Sequence, residues 1–107
     1  MFNRFSRPRR IVITGFGCVT PIGIGRDDFW TGLKSGKSGV SKITSFDVSR
    51  SPVKIAAEVK GFDADRELKI KERKHVPRTV PLALAAAREA VKDSNLAPSK
   101  LSLDTLS

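Results

Sequence analysis

One thiol and one imidazole, Cys18 and His75, are the only such groups in the 107 residues that nucleophilic or general-base chemistry could use. A cysteine attacks as its thiolate, which requires a helix N-terminus or a neighbouring base to lower its pKa. Cys18 instead stands beside Val19 and near Phe16, apolar company that predicts a structural thiol. His75 follows Lys74 in a basic stretch and reads as part of a charged surface or a helix start rather than as a base. A lone cysteine with a lone histidine excludes an internal disulfide framework and leaves no zinc-binding set. The remaining candidate is the loop Gly15-Phe16-Gly17-Cys18-Val19-Thr20-Pro21-Ile22-Gly23, directly after Ile11-Val12-Ile13. Glycines that follow a strand suggest a dinucleotide-binding turn, but the third glycine of that motif falls on Thr20, and Pro21 would interrupt the helix meant to receive the phosphates. A structural turn accounts for the loop better.

Charge gives a second lead. The formal net charge is +9, from 20 Lys and Arg against 11 Asp and Glu, and it is clustered. Arg4, Arg7, Arg9 and Arg10 form one group; Lys69, Lys71, Arg73, Lys74 and Arg78 surround Glu72 in another. Such clusters steer an acidic partner toward the surface without identifying it. Nucleic acid is disfavoured, because no aromatic platform, helix-turn-helix or zinc-finger spacing accompanies the charge. No apolar run approaches the ~18 residues of a membrane span, and residues 1–10 lack the apolar core of a secretory signal. These features lead us to expect a cytoplasmic protein with residues 1–9 as a basic tail and residues 10–107 as a single domain at most.

The elements that must position these groups begin with a strand at residues 10–16, expected to be buried on both faces because its apolar residues are consecutive. After the glycine loop, Asp27 is placed to cap a short helix carrying Phe29, Trp30 and Leu33 on one face, with Trp30 packed inward and Gly36 in the left-handed position that ends it. Residues 35–51 read as connection. Val53, Ile55, Ala57 and Val59 then alternate as the buried face of a half-buried strand near a sheet edge. Residues 63–74 suit one or two short helical turns. The strongest helix follows, with Val80, Leu84, Ala87 and Val91 on one stripe and Ala83, Ala86 and Ala90 on a second whose small side chains permit close backbone approach. Pro77 or Pro81 fits its first turn, and Asn95 and Pro98 mark its end.

Taken in order, these landmarks resemble the opening of the β-ketoacyl-acyl carrier protein synthases, the condensing enzymes of fatty-acid and polyketide assembly. The strand and glycine loop resemble the family's first strand and turn, with Thr20, Pro21 and Gly23 matching its Ser/Thr-Pro-x-Gly pattern. Trp30, Leu33, Gly36, Ser38 and Gly39 resemble the first helix and the Gly-x-Ser-Gly turn after it. Phe46-Asp47, residues 52–59, Phe62-Asp63, the basic residues 71–74 and the Ala-rich residues 83–87 continue the likeness.

The resemblance implies an α/β fold, namely an incomplete N-terminal portion of the layered αβαβα thiolase-like architecture. It also implies the chemistry of the complete enzymes, in which an acyl group passes to a cysteine thiolate and the carbanion from decarboxylated malonyl-carrier protein attacks the thioester. The family's catalytic cysteine and two histidines lie further along than these residues, so no catalytic, cofactor-binding or metal-binding residue is assigned here and no cofactor is expected. Lys71, Arg73 and Lys74 match the region where relatives present positive side chains to the acidic acyl carrier protein. Complete relatives are homodimers. The alternatives to an inactive partial synthase are a small basic non-catalytic module that binds acyl carrier protein or another acidic partner, and a relative of the chain-length-factor type. A central strand without its neighbours leads us to expect a marginal or partly molten isolated chain.

Overall fold

The computed structural model describes residues 7–68 and 74–96. Strand β1 (Val19–Thr20) turns back antiparallel into β2 (Gly23–Ile24), with Val19 opposite Ile24 and Thr20 opposite Gly23. Pro21 occupies the first corner of this turn and Gly23 its last position, the places where a fixed φ and a missing side chain suit the geometry. The Thr20 hydroxyl closes the turn by donating to the Gly23 carbonyl at 2.9 Å. Helix α1 (Arg26–Lys34) follows, and its buried residue is Gly32, packed against Ile22. It ends at Ser35, with Gly36 in the expected left-handed conformation at φ 70°.

A second antiparallel pair joins β3 (Val40–Lys42) to β4 (Ile55–Ala57), with Ser41 opposite Ala56. Here the structure corrects two expectations. Residues 35–51 are not all connection, since β3 lies among them; its Val-Ser-Lys sequence carries no alternation, and the pairing with β4 defines it. Strand β4 falls inside the expected 53–59 but shows the opposite face, with Ala56 half-buried and Ile55 and Ala57 exposed. Glu58 secures the pair from its far end, accepting from the Thr44 amide at 2.9 Å and the Ser45 amide at 3.1 Å.

A 3₁₀ turn (Ala64–Arg66), opened by the Asp63 carboxylate accepting from the Asp65 amide, occupies part of the expected 63–74. Residues 69–73 lie outside the described residues. Helix α2 (Thr79–Ser94) then accommodates both prolines. Pro81 sits in the first turn, where an amide has no intrahelical acceptor, and Pro77 precedes the helix while its carbonyl accepts from the Val80 amide at 3.1 Å. Asn95 ends the helix in the left-handed region at φ 56°.

Among the described residues no hydrophobic side chain is buried, and Pro81 is the one fully buried side chain. Two further expectations fail for this reason. Residues 10–16 form no strand: Ile11, Val12 and Ile13 are 92%, 71% and 89% exposed. Trp30 is not packed inward but 57% exposed, and the ring has the Lys34 ammonium 5.8 Å from its centroid. A consecutive apolar run needs cover on both faces, and the described residues place no paired strand beside it.

Candidate functional site

The glycine loop lies along helix α2, on the small-residue stripe that the sequence marked for close approach. A Cβ on Gly15 would fall 2.6 Å from the Ala90 carbonyl oxygen, and one on Gly17 would fall 2.7 Å from Glu89 Cβ and 2.8 Å from the Ala90 amide nitrogen. These glycines are therefore required because backbone meets backbone, not because a ligand does.

Two carboxylates one helical turn apart on α2 fasten the loop. Glu89 Oε1 accepts from the Cys18 amide at 2.9 Å and from the Arg26 amide at 3.1 Å, while Oε2 accepts from the Arg26 amide at 3.0 Å. Arg26 is the first residue of α1, whose N-cap Gly25 has no side chain to offer, so Glu89 supplies from another helix the acceptor that a Ser or Asp would normally provide. Its negative charge also sits at the positive end of the α1 dipole. Asp93 accepts from the Phe16 amide at 3.2 Å and forms an ion pair with the Arg26 guanidinium, which in turn lies 5.9 Å from the Phe16 ring centroid. The anion seat that a dinucleotide reading would need is filled by the protein's own carboxylate.

The same contact governs Cys18. Its thiol is pushed up from the ordinary range, first by burial and then by the negative charge of Glu89. Both influences oppose a thiolate, so the surroundings are the reverse of those that activate a nucleophile. His75 is exposed, as is Lys74 beside it. Lys71 and Arg73, the other two expected docking residues, lie outside the described residues. Arg78, from the same basic cluster, donates to the Val59 carbonyl at 2.9 Å, and Arg88 pairs with Glu67 at 2.6 Å. Among the described residues no three His, Cys, Asp or Glu side chains are grouped to hold a metal, and no helix is long and apolar enough to cross a membrane.

Sequence reasoning did not single out Glu89 or Asp93. The signal was present: both fall on the face of α2 that carries Ala86 and Ala90, so two acids interrupt a stripe otherwise fit for close packing. Charges placed there need partners, and the open amides of a glycine loop and a helix N-terminus supply them.

The family profile described as "Beta-ketoacyl synthase, N-terminal domain" matches residues 8–106. The chain is 39% identical over 98 residues to 3-oxoacyl-[acyl-carrier-protein] synthase 2 of Synechocystis sp., a match that covers 92% of this chain and 24% of that protein. Among solved structures, the ishigamide ketosynthase/chain length factor superposes with a TM-score of 0.69 at 38% identity, covering 85% of this chain and 23% of that one. A complex of a type II polyketide acyl-carrier protein with its ketosynthase, AntDE:AntF, gives a TM-score of 0.63 at 33% identity, covering 90% of this chain and 21% of that one. The chain thus spans about a quarter of the length of the relatives it matches. With the glycine turn, the first helix and the Ala-rich helix in place, the fold is the N-terminal portion of the thiolase-like α/β architecture, and the chain belongs to the β-ketoacyl synthase family.

Proposed function

We propose that these residues form the N-terminal part of a 3-oxoacyl-[acyl-carrier-protein] synthase, an acyltransferase that condenses an acyl thioester with malonyl-carrier protein, and that they do not catalyse this reaction by themselves. The family match over residues 8–106 is the observation that carries the reading. Catalytic insufficiency has a separate support: one cysteine with a raised pKa and one exposed histidine cannot make a cysteine with two histidines. In place of reactive groups the segment contributes a framework, the glycine loop locked on α2, and a basic surface.

That surface is the docking site we assign to acyl carrier protein, an acidic partner, with Lys71, Arg73 and Lys74 as the contacting cations. Support comes from the clustering of charge in the sequence, from the exposure of Lys74, and from the type II polyketide carrier protein found in complex with a structurally similar ketosynthase. Charge-steered binding of this kind weakens as salt is raised.

The test has two arms. The purified 107-residue chain is assayed for malonyl-carrier protein decarboxylation and for condensation; turnover that disappears in Cys18→Ala would refute the assignment of Cys18 as structural. Carrier binding is measured by titration at low and at high salt, with Lys71→Glu, Arg73→Glu and Lys74→Glu combined. Binding that ignores both salt and charge reversal would remove the docking site.

A further inference from the structure

Residues 1–26 contain five arginines and no carboxylate; Asp27 is the first acid in the sequence. Four of the five, Arg4, Arg7, Arg9 and Arg10, fall within residues 1–10, where lysine is absent. Elsewhere in the chain, arginines are engaged internally. Arg26 pairs with Asp93, Arg66 with Asp63 and Arg88 with Glu67, while Arg78 donates to the Val59 carbonyl. Arg7, Arg9 and Arg10 are exposed, lie outside any helix or strand, and make no ion pair or side-chain hydrogen bond with the described residues. Three guanidiniums thus share a short stretch of chain with no described acid to neutralise them, and their mutual repulsion is relieved by an anionic surface.

We infer that residues 1–10 form a basic arm that adsorbs reversibly to a membrane surface rich in anionic phospholipid. The inference does not rest on the family reading of the preceding section. Arginine presents a planar fork of donors that matches phosphate oxygens in pairs, which a lysine ammonium cannot do. Two Phe-x-Arg triplets, Phe2-Asn3-Arg4 and Phe5-Ser6-Arg7, set an aromatic ring close in sequence to a cation. That composition suits the headgroup boundary, where apolar groups enter the acyl region while charge stays with the phosphates.

Other polyanions use less of this pattern. An acidic protein surface would engage the cations and leave the rings idle. Duplex nucleic acid is read by a helix or a strand ribbon placed in a groove, and residues 7–10 form neither. Residues 1–10 hold no long apolar run, so the arm lies on the surface and does not cross the bilayer. Each arginine near such a surface favours adsorption about fivefold, so Arg7, Arg9 and Arg10 together contribute on the order of a hundredfold.

The experiment sediments the 107-residue chain with vesicles of phosphatidylcholine alone and with vesicles of equal phosphatidylcholine and phosphatidylglycerol, at low and at high salt. Binding should appear on the mixed vesicles and fall as salt rises. Arg7→Gln, Arg9→Gln and Arg10→Gln combined should lower the partition coefficient on the order of a hundredfold. Because these side chains bond to no described residue, the helical circular dichroism of the variant should match that of the parent, so lost adsorption cannot be blamed on unfolding. A second variant removes the same charge from exposed positions elsewhere, Lys37→Gln, Lys42→Gln and Arg50→Gln, and should retain most of the binding. Equal losses in the two variants would show that net charge alone is responsible and would overturn the inference. So would failure to bind the mixed vesicles, equal binding to neutral ones, or arm-dependent binding to an oligonucleotide or to acyl carrier protein that exceeds binding to the mixed vesicles. Phe2→Ser with Phe5→Ser should weaken adsorption at both salt concentrations; an unchanged partition coefficient would reduce the contact to phosphate alone and remove the lipid assignment.

Discussion

Residues 15–26 and residues 7–14 are neighbours in the chain and have opposite fates. The first group is bound to α2 by Glu89, Asp93 and direct backbone contact, at sequence separations of 63 to 77 residues. The second carries the uninterrupted branched apolar run Ile11-Val12-Ile13 and is exposed throughout. Hydrophobicity alone therefore does not decide which part of this segment is ordered against the rest. What decides it is whether the complementary surface lies within the segment: α2 supplies acceptors for the loop, while the described residues supply no sheet for the run.

The hardest blow to the tight region is a side chain on Gly17. Any Cβ there meets α2 backbone, which cannot step aside as a flexible side chain does. Gly17→Val should cost on the order of 3 kcal/mol, as overpacking of a closed contact does, and release the loop from the helix. Hydrogen exchange of the Cys18 and Arg26 amides reports this directly. Unchanged protection in the variant would show that loop and helix are not in contact, and the contrast between the two regions would collapse.

Glu89 comes next. Glu89→Ala leaves the Cys18 and Arg26 amides without their acceptor, a loss of roughly 1–3 kcal/mol. Glu89→Gln keeps an acceptor but removes the charge, and it sharpens the account of the thiol. Of the two influences that raise the Cys18 pKa, burial remains and the repulsion from Glu89 goes, so the thiol should titrate at lower pH than in the parent chain. The pH profile of alkylation by iodoacetamide measures this; an unshifted profile would mean that the carboxylate does not act on the sulfur.

How far the sequence reveals these regions differs element by element. The glycine turn, the end of α1 at Gly36, the Ala stripe of α2 and its termination at Asn95 were all legible, because each follows from backbone geometry set by residues within a few positions. The direction in which Trp30 and Ile55 face was not. Periodicity says that one face is apolar, but which surface covers it depends on chain distant in sequence. The clasp at Glu89 went unread for a related reason: its meaning lies in amides 63 and 71 residues earlier, and no local pattern connects them. For the candidate docking site, the clustering of Lys71, Arg73 and Lys74 was visible in the sequence, whereas its partner was suggested only by the family.

The β3–β4 pair, outside both regions, offers a smaller, pH-dependent test. Hydrogen bonds from Ser45 and Thr44 hold the Glu58 carboxyl down from 4.5 to about 2. A depressed folded-state pKa means that the unfolded chain binds the proton first, so the contribution of Glu58 is complete above about 4.5 and disappears as the pH falls toward about 2. Thr44 and Ser45 amide shifts followed between those limits should move with the titration, and in Glu58→Gln they should not. The Cys18 and Arg26 amides should be indifferent to the Glu58 titration, since their acceptor is Glu89.

The smallest effect is expected at Trp30, where the sequence reading and the structure disagree most openly. A tryptophan packed in a core costs about 3–5 kcal/mol when truncated to alanine, whereas a surface side chain changes stability within about 0.5 kcal/mol. With 57% of its surface in water and Lys34 as its aromatic-cation partner, Trp30 belongs to the second class in the chain by itself. Its emission should already resemble that of an indole in water, shift little on denaturation, and be readily quenched by iodide. Trp30→Ala should leave the exchange of the α1 amides nearly unchanged. If the same substitution proves costly in the free chain, the helix packs against something other than Ile22, and the division between a closed and an open region must be redrawn.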